Sequence, residues 1–448
     1  MQSVSTINKP RLFFLSIFFI AAFVSHAQEN SPFSRYGLGD LVPSQNIVNR
    51  AMGGLSSTYS SSQSVNFSNP ASYAHFTVVN YDIGITLDRR SLRSASPVQK
   101  YNSVNLSPSY VSLGIPLSLE HKIGLAFGLM PVTKVNYNIN ESKRINDGKD
   151  SILSLYEGEG GLYKGFVGIG KSWGGLSVGI NSGLLFGRKD IVTRTIIIDS
   201  MLTYKSNSSD NTSFNHLFLN LGLQYEDSLG KPGQPKSTTI KFGFSANMKQ
   251  NLSARKTISR ETYTYDFNDN PLTIDSVYNS GEQAGTITLP ASYTGGISLN
   301  KIARDKGIPY QKTMIGVEYE TSKWSQFRSF GEPDRLINSW QARIGGQITP
   351  KVFYDKNYWS LVTYRAGFYL GKEAVNADGN GLPVYGVTLG AGFPLLKYRS
   401  YDNQSTVLNT TFEIGKRGNS KNKITESFFR FALSVNLSDR WFVKRKYD

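Results

Sequence analysis

Residues Phe428–Leu437 alternate without a break, with Phe429, Phe431, Leu433, Val435 and Leu437 on one side and Arg430, Ala432, Ser434 and Asn436 on the other. Successive side chains of a strand point to opposite faces, so such a segment divides an apolar medium from a polar one. The pattern begins near Phe76, where Val79, Tyr81, Ile83, Ile85 and Leu87 alternate with Asn80, Asp82, Gly84 and Thr86. It recurs at about 104–118, 122–137, 156–172, 175–188, 213–226, 237–251, 286–299, 311–320, 338–348, 359–371, 383–394 and 405–416. A soluble sandwich would turn its apolar face inward. One uninterrupted series of this length instead predicts an all-β fold, a transmembrane antiparallel β-barrel of about 14 strands over residues 76–448.

The connections carry a second signal. Ser118–His121 and Trp173-Gly174-Gly175 are short, whereas 138–155, 189–212, 252–285 and 321–337 are long and polar. Short connections follow even strands and long ones follow odd strands, which predicts an even strand number and both termini in the periplasm.

At the N-terminus Lys9 and Arg11 precede the apolar run Leu12–Val24, and Ser25-His26-Ala27 offers a small-x-small cleavage site, so residues 1–27 read as a signal peptide. The run is too short for a membrane-spanning helix, and no later stretch approaches the length one needs. Mean hydropathy of −0.30 fits a barrel, in which only alternate residues face lipid. Cysteine is absent, which removes disulfides and thiol chemistry. The net charge is +16, or +14 once Lys9 and Arg11 leave with the signal. The positive residues are scattered apart from a cluster at Arg440, Lys444, Arg445 and Lys446, and they predict contact with outer-membrane lipid and lipopolysaccharide phosphates and no nucleic acid.

Chemistry is sparse. Gly165–Ser172 spells a phosphate-binding loop, G-x-x-x-x-G-K-S, but a turn and an alternating strand follow it where that mechanism needs a helix. His75, His121 and His216 lie far apart, with no acid or second histidine at ligand spacing, so no metal, cofactor or catalytic residue is predicted and the chain does not read as an enzyme. The alternation turns Asp82, Lys241, Glu318, Arg343, Arg365, Glu413 and Arg430 toward the interior. Buried charges of both signs predict a paired lattice, with a polar path or carboxylate-binding site as the alternative.

Residues 28–75 differ in texture, being rich in Ser, Asn and Gly and lacking alternation. They still carry Phe33, Tyr36, Leu38, Leu41, Met52, Leu55 and Phe67, too many apolar groups for a solvated tail, which predicts a packed plug. Arg50-Ala51-Met52-Gly53-Gly54-Leu55 followed by Asn66–Tyr73, with Asn69-Pro70-Ala71 at its centre, resembles the N-terminal region of FadL/TodX-type outer-membrane transporters. Leu289–Gly296 is similar to that family's mid-barrel strand opening. The resemblance implies a fourteen-stranded barrel whose N-terminal segment is a hatch, with Gly53, Gly54, Asn69, Pro70 and Ala71 as its gate residues. It implies passive uptake of small hydrophobic molecules such as fatty acids or aromatic hydrocarbons, with Arg343 or Arg365 available to a ligand carboxylate. The alternative it carries is a non-transporting barrel that docks onto a large envelope or secretion machine.

Overall fold

The computed structural model describes residues 30–439 apart from 146–149, 199–203, 230–236, 267–270, 353–354, 378 and 396–404. Residues 1–27, expected to be a signal peptide, and the cationic residues Arg440, Lys444, Arg445 and Lys446 lie outside the described residues.

Fourteen wall strands follow one another in chain order. They are β1 (Val79–Ala95), β2 (Val98–Ser118), β3 (Ile123–Ile145), β4 (Asp150–Trp173), β5 (Leu176–Ile197) and β6 (Lys205–Ser228). β7 has two segments, Ser237–Asn247 and Gln250–Tyr265, and β8 has three, Pro271–Asn279, Gln283–Leu289 and Ser292–Asp305. β9 (Ile308–Ser322), β10 (Ser339–Ile348), β11 (Thr363–Lys372), β12 (Pro383–Pro394), β13 (Ser405–Arg417) and β14 (Ile424–Asp439) complete the wall. Every neighbour pair is antiparallel, and β14 returns to β1 from Val79↔Asp439 to Ser94↔Ile424, which closes the barrel.

The outward face carries the apolar set, including Ile83, Val111, Val167, Leu223, Val317, Val387 and Phe412, each exposed in the isolated chain. On β4 this set runs from Tyr163 to Trp173, with Lys171 placed 4.8 Å over the Trp173 ring. Ten residues of tilted strand span roughly 25 Å, the height of a membrane barrel's apolar band.

Three of the four long polar connections are not loops. Most of 138–155, 189–212 and 252–285 is strand, with ladders continuing to Ile145↔Asp150, Thr195↔Ser206 and Pro271↔Tyr265. These extensions stand beyond the apolar band, so water meets both faces and the alternation in hydropathy disappears while the backbone pairing persists. The fourth stretch, 321–337, holds a short 3-10 turn, Trp324–Gln326, and then folds back on the wall, pairing Arg328 with Thr288 and Ser329 with Ile287 of β8. The 359–371 segment also begins with such a turn, Tyr358–Leu361, before β11 starts at Thr363.

Candidate functional site

The end bearing the strand extensions is called upper below, and the end with the short turns lower. Residues from 31 to 76 are mostly buried, Arg35, Leu41 and Ser44 excepted, and touch strands around the ring. The packing is close because many inward wall positions are glycine. A Cβ on Gly124 would lie 1.9 Å from the Tyr73 carbonyl oxygen, one on Gly222 2.1 Å from Asn69 Oδ1, and one on Gly367 2.1 Å from the Gly53 nitrogen. Gly179 and Gly170 make the same room beside Pro70, as does Gly345 beside Met52. The bed of glycines in the wall is a mould of the hatch, and nothing in the alternation of apolar residues signals it.

Within the hatch, Asn46 caps the short helix α1 (Ile47–Arg50) by accepting from the Asn49 N–H. The chain then turns at Gly53 and Gly54, whose φ values of 70° and 91° suit glycine. The Gly53 N–H donates to Thr388 Oγ1 at 2.8 Å. Asn69 caps the 3-10 turn Pro70–His75, accepting from the Ala71 N–H, and its Nδ2 donates to the Ser57 carbonyl at 2.6 Å. The same amide reaches the wall carbonyls of Leu223 and Phe244 at 3.2 and 3.3 Å. Pro70 and Ala71 are fully buried at this turn.

Charges fasten the hatch to the wall. Glu413 accepts from Arg50 at 3.0 Å and from Arg430 at 2.8 Å, and Arg430 reaches Asp88 at 3.2 Å. Asp88 holds Arg90, which reaches Asp40 of the hatch at 2.7 Å, and Asp40 also takes Arg417. Burial pushes the Asp40 carboxyl up, and the Arg417 and Arg90 guanidinium groups overcome it, holding the group below the usual carboxylate range. Glu318 accepts the backbone N–H groups of Ser56 and Ser57 at 2.8 and 2.5 Å. Lys241 binds Ser60 Oγ at 2.6 Å and Glu226 at 3.2 Å, and Asp82 accepts from Tyr110 at 3.0 Å.

All seven inward charges from the alternation therefore face the interior, five of them within 4 Å of an opposite charge. Arg343, expected as a free partner for a ligand carboxylate, is taken by Glu318 at 2.7 Å and by Glu320. Arg365 donates instead to the amide oxygens of Gln347 and Asn409. Asp40, Asp88, Arg90, Arg417 and Glu426 belong to the same lattice and were missing from the sequence reading. Extending the alternation of β1 past Asp88 would have turned Arg90 inward. His75, at the lower end of the hatch, is drawn down to about 4 by burial and by Lys241. Gly165–Ser172 is uninterrupted strand within β4 and forms no phosphate loop. Among the described residues, no three His, Cys, Asp or Glu side chains gather as metal ligands.

On the upper side of the hatch lies a cavity of about 360 Å³. Leu38, Met130, Leu162, Leu185, Phe218 and Met248 supply apolar lining. Lys164 also faces it, 5.4 Å from the Phe218 ring, with no carboxylate within salt-bridge distance among the described residues. Beside the cavity the wall parts. β2 and β3 pair only from Val111↔Leu129 down to Ser118↔Ile123, and above that β2 keeps β1 while β3 keeps β4. The hatch takes the freed edge of β3, pairing Asp40 with Lys134 and Leu41 with Thr133 and donating from Ser31 N to the Asn136 carbonyl at 2.9 Å.

Several solved barrels share this architecture. The toluene transporter TbuX of Ralstonia pickettii is 14% identical, with a TM-score of 0.54 over 88% of this chain and 98% of that one. The P. putida toluene transporter TodX is 14% identical, with a TM-score of 0.53 over the same shares, 88% and 98%. A FadL homologue of Pseudomonas aeruginosa is 11% identical, with a TM-score of 0.51 over 90% and 100%. At these identities the likeness establishes a FadL/TodX-type barrel fold. No curated protein matches the sequence. The family model described as BamG matches residues 10–448, and the chain belongs to the BamG family.

Proposed function

We propose that this outer-membrane barrel, with its short turns and both termini on the periplasmic side, receives small apolar molecules in the cavity above the hatch and passes them inward without energy coupling. The carrying observation is the cavity itself, apolar over much of its lining, beside a stretch where β2 and β3 do not pair. Lys164 takes the acidic head of a ligand that has one, the part first assigned to Arg343 or Arg365. Titration of the purified barrel with toluene and with decanoate tests this. Leu162→Arg, which fills the lining with a charge, abolishes both bindings. Lys164→Gln weakens decanoate at least tenfold and leaves toluene unchanged. Absence of binding by either probe to the wild type rejects the reading.

A second reading is a non-conducting barrel that docks onto a larger envelope assembly. The fastening of the hatch through Asp40, Arg50 and Glu318 favours it, since a stopper held at so many points suits a closed scaffold. A stoichiometric large partner retained in mild detergent, together with no toluene or decanoate binding, selects this reading.

A further inference from the structure

The outward face of β13, β14, β1 and β2, just above the apolar band, holds cations without acids. Arg89, Arg93 and Lys100 are exposed, whereas Asp88, Arg90 and Leu92, at the alternate positions of β1, are buried, which sets the outward parity. The band ends directly beneath: Leu87 pairs with Phe431 and Leu106, and the next outward level pairs Arg89 with Phe429 and Val104. Lys416 stands on the same face, across Ser427 from Ser91. Every carboxylate on these four strands except Asp439 at the lower rim, namely Asp82, Asp88, Glu413 and Glu426, is buried in the interior. None of the four outward cations has a salt-bridge partner among the described residues.

Two details make this more than a solvated rim. Arg93 and Lys100 are direct cross-strand partners, so two positive charges face each other with Cβ atoms about 5 Å apart, an arrangement that destabilises a strand pair unless an anion lies between them. Ser91, between Arg89 and Arg93 on the same face, has a buried hydroxyl with no hydrogen-bond partner. Lys416 is two strands from Ser91, roughly 10 Å away, within reach of one headgroup.

We propose that this patch binds the phosphate of an anionic membrane lipid where the wall leaves the bilayer. A guanidinium and an ammonium either side of one phosphate turn the repulsion of Arg93 and Lys100 into a shared attraction, and the aromatic and aliphatic groups beneath receive the acyl chains. The proposal rests on the membrane placement given above.

The test uses the full-length protein in neutral detergent, with dioleoyl phosphatidylglycerol, dioleoyl phosphatidylcholine and inorganic phosphate as probes. By native mass spectrometry the wild type retains phosphatidylglycerol at least tenfold more tightly than phosphatidylcholine. Arg93→Gln with Lys100→Gln brings that ratio below twofold, and Lys301→Gln at the lower rim leaves it unchanged. Without lipid the double variant melts no lower than the wild type, because the like-charge pair is gone, and phosphatidylglycerol raises only the wild-type Tm. Lys100→Glu, which gives Arg93 a partner, folds and loses the lipid, so a misfolded double variant does not shelter the idea. Equal retention of phosphatidylglycerol by wild type and Lys100→Glu overturns it. So does inorganic phosphate that raises the wild-type Tm as much at the same concentration. Flotation of the wild type with vesicles reports membrane placement separately, and its failure would reject that placement whatever the lipid preference.

Discussion

Asp40 and Arg417 stand 377 positions apart in the chain and meet through two hydrogen bonds, of 2.7 and 3.0 Å, buried between hatch and wall. The fork of the guanidinium matches the carboxylate, and Arg90, Glu373 and Glu426 close the group. Removing the acid leaves Arg417 and Arg90 buried with fewer counter-charges.

Asp40→Asn therefore loosens the hatch by about 3–5 kcal/mol, the cost of breaking a buried pair from one side. The change is read as an increase in open events in planar bilayers. Its acid dependence follows from the lowered carboxyl. The docked hatch binds that proton less readily than the released one, so Asp40's contribution is complete above about pH 4 and fades as pH falls below that value. Asp40→Asn lacks this acid limb, and an unchanged limb in the variant would assign it to another group.

His75 acts in a neighbouring window. Its docked pKa of about 4 lies below the ordinary 6.5, so a released hatch takes up a proton that the docked one refuses. Docking weakens as pH falls from 6.5 toward 4. Hydrogen exchange at residues 70–76 rises over that range in the wild type, and His75→Gln flattens it.

Deleting Arg35–Ser72 leaves a barrel that inserts and shifts on boiling in gels, because the wall ladders do not depend on the hatch. Its conductance rises several-fold over the wild type. The smaller change Asn69→Ala removes the amide that binds Ser57, Leu223 and Phe244 and costs about 1–3 kcal/mol of hatch docking. Unchanged conductance in the deletion would show that these residues do not close the pore.

Gly124→Val places a side chain where the Tyr73 carbonyl sits and gives a folded barrel with the conductance of the deletion. Gly165→Ala meets only Leu129 Cδ1 at 3.9 Å and behaves as wild type.

Much of the wall was legible because lipid and lumen impose opposite demands on alternate residues. Phe428–Leu437 and Thr77–Asp88 display this directly, and the inward set from Asp82 to Arg430 follows. Legibility stopped where that contrast stops. Past Glu159 on β4 and Asp190 on β5 both faces meet water, so paired strands resembled polar loops. Lys164 was overlooked although it immediately precedes the phosphate-loop lookalike. Its significance depends on having no carboxylate within salt-bridge distance among the described residues, which is a fact of three dimensions. The hatch's fastening was hidden for the same reason, since Asp40 has no sequence neighbour that points to Arg417.

Arg417 ends β13, and of its further carboxylate partners Glu373 follows β11 and Glu426 lies on β14, the strand that closes the wall. The hatch precedes the wall in the chain, yet the clasp that holds Asp40 exists only once the β13–β14 hairpin has joined β1. The stopper is thereby latched by completion of the ring. A partly assembled wall holds its stopper loosely, and the same few atoms that seal the finished barrel record that it has been finished.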